Sequence, residues 1–311
     1  MRILAICLTF AFAPVSLWAQ STLAAGTPVH VTVTAAHLYG VPRILVPADL
    51  TVMRESEPVP ISSLTPLRGD HAALELFLLV DNFCNCEPGD KFAELRNFVS
   101  SQPAATTIGV AYIRDGKLDI TEAAGSDRGR TLGALKAPTG GTPSNPFPAL
   151  TELIRSFPPD GSRHAVLIIT NGIDPAAQEA WPDESAETAI GAAQRAGVTV
   201  FAIYHPGADY TTTDYSKIYA GQVQLAHITY ESGGEAYFAG FGPLPSLAPF
   251  LGDIADHLAN QYSLEFLAKP NRTEGELVDV TITSRYGDMD ITAPSRVWVA
   301  GTPAANPKKP R

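Results

Sequence analysis

The chain has 311 residues, enough for one large domain or a medium domain with an addition at roughly 100–200 residues per domain. Apolar residues make up 45% and charged residues 17%, so a sizeable core can form and wholesale disorder is excluded. The net charge of −10 excludes a nucleic-acid binder, which needs a basic face; the C-terminal "NPKKPR" is the one basic cluster.

Residues 1–19 read as a secretory signal peptide. Arg2 supplies the positive start, Ile3 to Leu17 an apolar stretch, and "SLWAQ" a cleavage point after Ala19. Cys7 lies inside that stretch and is expected to leave with it. No other run approaches the ~20 apolar residues of a spanning helix. The expectation is a soluble exported protein, secreted or periplasmic, with no transmembrane segment after signal removal. Residues 26–70 alternate in short stretches punctuated by Gly40-Val41-Pro42 and Pro58-Val59-Pro60, which predicts a few antiparallel strands.

From residue 71 to 260 the pattern changes. Apolar runs at 74–80, 107–113, 164–170, 198–204 and 235–239 are nearly continuous, as in strands buried on both faces. Helical faces lie between them: Phe92, Leu95, Phe98 and Val99; Leu150, Leu153 and Ile154; Ala186, Ala189, Ile190 and Ala193, capped by Ser185 and stopped at Gly197; and Leu247, Phe250, Leu251, Ile254 and Leu258. This alternation predicts an α/β fold, doubly wound, with a mostly parallel sheet and helices on both faces. Asp115-Gly116 marks a hairpin, so one edge strand is expected to be antiparallel. Residues 261–300 hold three strand-like pieces, "YSLEFLA", "LVDVTITS" and "DITAPSRVWVA". These are expected to join the N-terminal strands in a small β-module. The tail 301–311 is rich in Pro, Ala and Lys and is expected to be disordered.

Ligands of an open doubly wound sheet sit at the carboxyl ends of its strands, which singles out the loops after Val80, Thr170 and Tyr204 and the loop 137–146. The strand "FLLVD" ending at Asp81, the following helix, the "GGTP" loop at 140–143 and the strand end "LIITNG" occur in an order and spacing that resembles a von Willebrand factor type A domain over about residues 70–260. With the signal peptide and flanking β-segments, the whole is similar to exported bacterial proteins carrying a VWFA-related domain. That family commonly holds a divalent cation in a metal-ion-dependent adhesion site. Its D-x-S-x-S motif aligns with Asp81-Asn82-Phe83-Cys84-Asn85, its threonine with Thr142, and its second aspartate with Asn171.

The departures have physical weight. Mg²⁺ wants six oxygens in near-octahedral geometry. Phe83 offers none, Asn85 a neutral carbonyl, and Asn171 removes one negative charge. The resemblance therefore implies a degenerate site at Asp81, Asn85, Thr142 and Asn171, with no cofactor or a weakly bound Mg²⁺, Mn²⁺ or Ca²⁺. In the alternative, Asp81 and Thr142 only hold loops together through backbone hydrogen bonds. Asn171-Gly172 is also a pair able to deamidate and regenerate an acid.

The polar segment 205–219 reads as a long loop whose Tyr210, Tyr215 and Tyr219 suit protein recognition at the rim. Asp174 and Asp183 are loop acids near the same tips. His205 has no second His or Cys nearby, which argues against zinc, and His227 and His257 fall in helical patterns. Cys84 and Cys86, one residue apart, allow a strained bridge, an intermolecular bridge or two thiols. Nucleophile-elbow, P-loop and dinucleotide motifs are absent from the sequence. The reading is an exported, non-enzymatic adhesion or scaffold module that binds a protein or extracellular polymer through the strand tips. Its alternatives are a genuine Mg²⁺/Mn²⁺-dependent adhesion domain and a thiol-dependent enzyme or redox protein using Cys84 and Cys86. Nothing in the sequence speaks to oligomeric state.

Overall fold

A computed structural model describes residues 26–37, 43–83, 90–159, 161–175, 183–206, 215–240 and 245–301. The expectations for the signal peptide, Cys84, Asn85, Cys86, Tyr210 and residues 302–311 lie outside the described residues.

The N-terminal segment forms strands β1 (Thr27–His37), β2 (Leu50–Arg54), β3 (Glu57–Val59) and β4 (Ile61–Pro66). The central body runs β5 (Leu74–Asp81), α1 (Asp90–Ser101), β6 (Thr106–Arg114), β7 (Lys117–Gly125), α2 (Arg128–Ala134), α3 (Phe147–Ser156), β8 (His164–Thr170), α4 (Glu184–Ala196), β9 (Val198–Tyr204), α5 (Tyr215–Ser232), β10 (Ala236–Tyr237) and α6 (Ala248–Ala259). The chain then continues as β11 (Gln261–Ala268), β12 (Gly275–Ser284), β13 (Met289–Thr292) and β14 (Arg296–Ala300).

The body's sheet has the order β10-β9-β8-β5-β6-β7. Its strands are parallel except β7, which returns on β6 through Asp115 and Gly116, both at positive φ. That two-residue turn with two left-handed positions matches the twist of a hairpin. The continuous apolar run of β5 has a simple cause. Successive side chains point to opposite faces, so Leu76, Leu78 and Val80 pack with Phe92, Leu95, Leu251 and Ile254 from α1 and α6. Phe77 and Leu79 pack on the other side with Leu150, Leu153, Ile190, Leu225 and Ile228 from α3, α4 and α5.

Three expectations need correcting. Asp183, not Ser185, caps α4: its carboxylate accepts from the Ser185 and Ala186 amides. Gly197, at φ 66°, does end that helix, since a left-handed C-terminal position favours glycine. Tyr215 and Tyr219 are not on a loop. They form the first turns of α5, whose buried positions include the small and polar Gly221, Gln224 and Thr229, so no strong apolar stripe marks it. The last β-segment is split into β13 and β14 around Pro294, which lacks an amide proton for a ladder.

The terminal segments do pair. β1 runs antiparallel to β11 from Thr27↔Ala268 to Thr34↔Gln261, and β12 pairs with β2. The sheets β13-β1-β11-β4 and β14-β12-β2-β3 share one core, in which Val31, Val33, Leu264 and Phe266 meet Val52, Val280, Ile282 and Val299. This sandwich abuts the amino-terminal ends of the body's strands. Arg163, just before β8, donates to Gln261 Oε1 at 2.7 Å and to the Leu258 carbonyl. Burial lowers its pKa to about 10, which leaves it charged at neutral pH. Gln194 of α4 donates to Ser295 Oγ at 3.1 Å, and Ser295 donates to Glu231 at the end of α5. Among the described residues no helix is long and apolar enough to cross a membrane.

Candidate functional site

Asp81 ends β5 at the centre of the sheet, and only 1% of its surface is exposed. Its Oδ1 accepts from the Phe83 amide at 3.0 Å, and its Oδ2 accepts from the Thr170 hydroxyl at 2.7 Å. Thr170 ends the neighbouring parallel strand β8, so two adjacent tips are joined side chain to side chain. Burial raises the Asp81 pKa to about 6, against the lowering effect of those two hydrogen bonds.

Asn82 reaches the third tip. Its Nδ2 donates to the Gly140 carbonyl, and its Oδ1 accepts from the Thr139 amide at 3.2 Å. The loop before α3 is therefore held against the end of β5. Thr142 stands two residues further on, exposed, and takes no part in this hydrogen-bonded set. Asn145 closes the same loop from its other end. Its Oδ1 accepts from the Phe147 amide at 3.0 Å, and its Nδ2 donates to Asp174 at 2.8 Å and to Ser185 Oγ at 2.7 Å.

Asn171 is 8% exposed, and its Oδ1 accepts from the Ile173 amide at 3.0 Å. The Gly172 amide donates to Thr170 Oγ1 at 3.3 Å. Helix α5 then seals this tip by close backbone approach. A methyl at Gly172, which sits at φ +66°, would lie 2.6 Å from the Gly221 carbonyl, and one at Gly221 would lie 2.4 Å from the Asn171 carbonyl. His205 follows β9, donates its amide to the Thr170 carbonyl at 2.9 Å and is fully buried. Its Nδ1 lies 2.9 Å from the Pro206 carbonyl, and burial lowers its pKa.

The tips after β5 and β8 and before α3 thus meet above a parallel sheet with one antiparallel edge, in the predicted chain order. The body has the doubly wound α/β topology expected from the sequence. No family model and no curated protein matches the sequence. Solved structures with similar folds include a von Willebrand factor type A protein from Catenulispora acidiphila at 9% identity and TM-score 0.45, covering 90% of this chain and 75% of that one. The pilus adhesin SpaC from Lactobacillus rhamnosus GG matches at 10% identity and TM-score 0.46, over 85% of this chain and 48% of its own length. The vWF domain of the type V pili tip protein Mfa5 from Porphyromonas gingivalis matches at 9% identity and TM-score 0.41, over 59% of this chain and 94% of that domain.

Sequence reading identified Asp81 and Asn171 at the strand tips but missed Asn82, Thr170 and Asn145. Asn82 and Thr170 directly adjoin recognised motif positions, which was the available signal; Asn145 lies three residues beyond Thr142. The glycine contact is testable. Gly221→Ala is expected to cost about 1–2 kcal/mol, as overpacking outweighs the better helix propensity of alanine. Gly191→Ala in α4 meets nothing within 4 Å and should instead stabilise by about 0.5–1 kcal/mol. Urea melts of the two variants should move in opposite directions.

Proposed function

We propose that the chain is an exported, non-enzymatic binding module that engages a protein or extracellular polymer through the strand tips, with weak or no dependence on a divalent metal. One observation carries this reading: the tip is held together by its own side chains. Asp81, the only carboxylate of the aligned motif, is buried with each oxygen already accepting a hydrogen bond. Asn171 Oδ1 is likewise occupied, and Phe83 stands where a hydroxyl ligand would. Among the described residues this donor set does not suit a hard cation that demands six oxygens. The face is instead preorganised by Asn82 and Asn145, which is what metal-independent binding requires.

The side chains of Tyr215 and Tyr219 support a recognition role. They are 62% and 64% exposed on the first turns of α5, the helix that seals the Asn171 tip. The non-enzymatic reading is supported by the state of Thr170, whose hydroxyl pairs with a carboxylate but has no exposed surface from which to reach a substrate. SpaC and Mfa5 are pilus proteins; the reading rests on the tip geometry and not on them. Export and a secreted or periplasmic location follow from the signal-peptide pattern at 1–19.

The test is a thermal melt in EDTA, Mg²⁺, Mn²⁺ and Ca²⁺ at millimolar concentration. Wild type and Asp81→Asn are each expected to keep their own Tm, within about 1 °C, between EDTA and each of the three cations, since a ligand stabilises only when it binds the native state. A Mg²⁺- or Mn²⁺-dependent rise present in wild type and absent in Asp81→Asn would establish the metal-dependent adhesion reading instead.

A further inference from the structure

A second cluster lies outside the tips, along the β10 edge of the sheet. Glu235 immediately precedes β10, while Asp253 and His257 sit one turn apart on α6. One donor atom from each lies within 4.8 Å of the other two. His257 Nε2 is 3.5 Å from Glu235 Oε2 and 3.7 Å from Asp253 Oδ2. These separations are longer than the ~2.7–3.2 Å of a nitrogen–oxygen hydrogen bond. They are close to the edge of a tetrahedron around zinc, about 3.3–3.6 Å for bonds of 2.0–2.2 Å.

Two further features fix the donors in place. Tyr237 donates its hydroxyl to Asp253 Oδ2 at 2.8 Å, and the His257 ring packs against Phe201 at 6.2 Å between centroids. Outer hydrogen bonds of this kind orient the carboxylate and imidazole ligands of metal sites. Among the described residues neither carboxylate pairs with a Lys or Arg; the basic group facing both is the His257 imidazole.

We propose that Glu235, Asp253 and His257 form a binding site for a zinc-class divalent cation, with three protein ligands and a water position open to solvent. The imidazole selects a borderline metal over Mg²⁺ or Ca²⁺, which prefer all-oxygen shells. The site is independent of Asp81 and the tip loops.

The experiment is a Zn²⁺ titration of full-length protein carrying Cys84→Ser and Cys86→Ser, read by calorimetry and by Tm. One saturable equivalent is expected, with a Tm rise of about 4 °C at a free Zn²⁺ one hundred times the dissociation constant. Asp253→Asn and Glu235→Gln should each weaken binding at least 10-fold, and Tyr237→Phe about 10-fold by loosening Asp253. Because the Asp253 and Glu235 side chains are half exposed, these two variants should fold. Asp81→Asn should bind Zn²⁺ as the parent does. No saturable uptake by the parent, parental affinity in Asp253→Asn and Glu235→Gln, or uptake lost in Asp81→Asn would each overturn the proposal.

Discussion

Replacing Asp81 by Asn is expected to make the protein more stable at pH 8, by up to about 3 kcal/mol. The carboxyl pKa rises from its ordinary 3.8 to about 6 in the fold, and each pKa unit is worth about 1.4 kcal/mol. The folded state therefore holds this proton more tightly than the unfolded chain. Stability from this group is fully present below pH 3.8, falls as the pH climbs, and is lost once it passes about 6. An asparagine removes the buried charge and keeps both hydrogen bonds: its oxygen accepts from Phe83, and its amide donates to a turned Thr170 hydroxyl. Denaturant melts across pH 3 to 8 should show the two proteins converging below pH 4 and separating up to pH 6. A variant less stable than wild type at pH 8 would mean that something other than protein compensates the charge.

The second large effect lies in the sandwich. Phe266 has no exposed surface and packs where β11 faces the opposite sheet. Phe266→Ala should cost about 3–5 kcal/mol, the range for emptying a buried aromatic position. Trp298 on β14 reports the sandwich, and the far-UV helix signal reports the body, where all six described helices lie. Both signals are expected to move together to lower urea. Hydrogen bonds of Arg163, Gln194, Ser295 and Glu231 join the two parts. Separate transitions would show those contacts to be weaker than the sandwich core.

The legible parts of the sequence were those with strong periodic burial. Strands β5, β6, β8 and β9 are covered on both faces, so they read as unbroken apolar runs. Helix α6 shows its stripe because it packs Leu251, Ile254 and Leu258 on one side. Helix α5 was legible only around His227, and its first turns were read as loop, because glycine-to-backbone contact at Gly221 and Gly172 seats it and glycine carries no hydropathy signal. Helix α2 is only seven residues long and depends on Asp127 accepting from the Gly129 and Arg130 amides. At the tips the chain positions of Asp81 and Asn171 were readable from strand ends. The partners of Asn82 and Asn145 were not, because these side chains bind loops more than twenty residues away, and Asn82 acts on main-chain groups that look alike in any sequence. Thr142 matched by motif alone, and its neighbours hold the loop instead.

The pairing of β1 with β11 also bears on how the molecule carries mechanical load. Gly26 lies against Ala268 and Gly301 against Thr273, so the two described ends emerge at one pole of the sandwich. The strand tips face the opposite way. Tension applied between those ends would pass through the β1–β11 and β12–β14 ladders and bypass the α/β body. The strand tips would then keep their shape under a pull that strains the sandwich first.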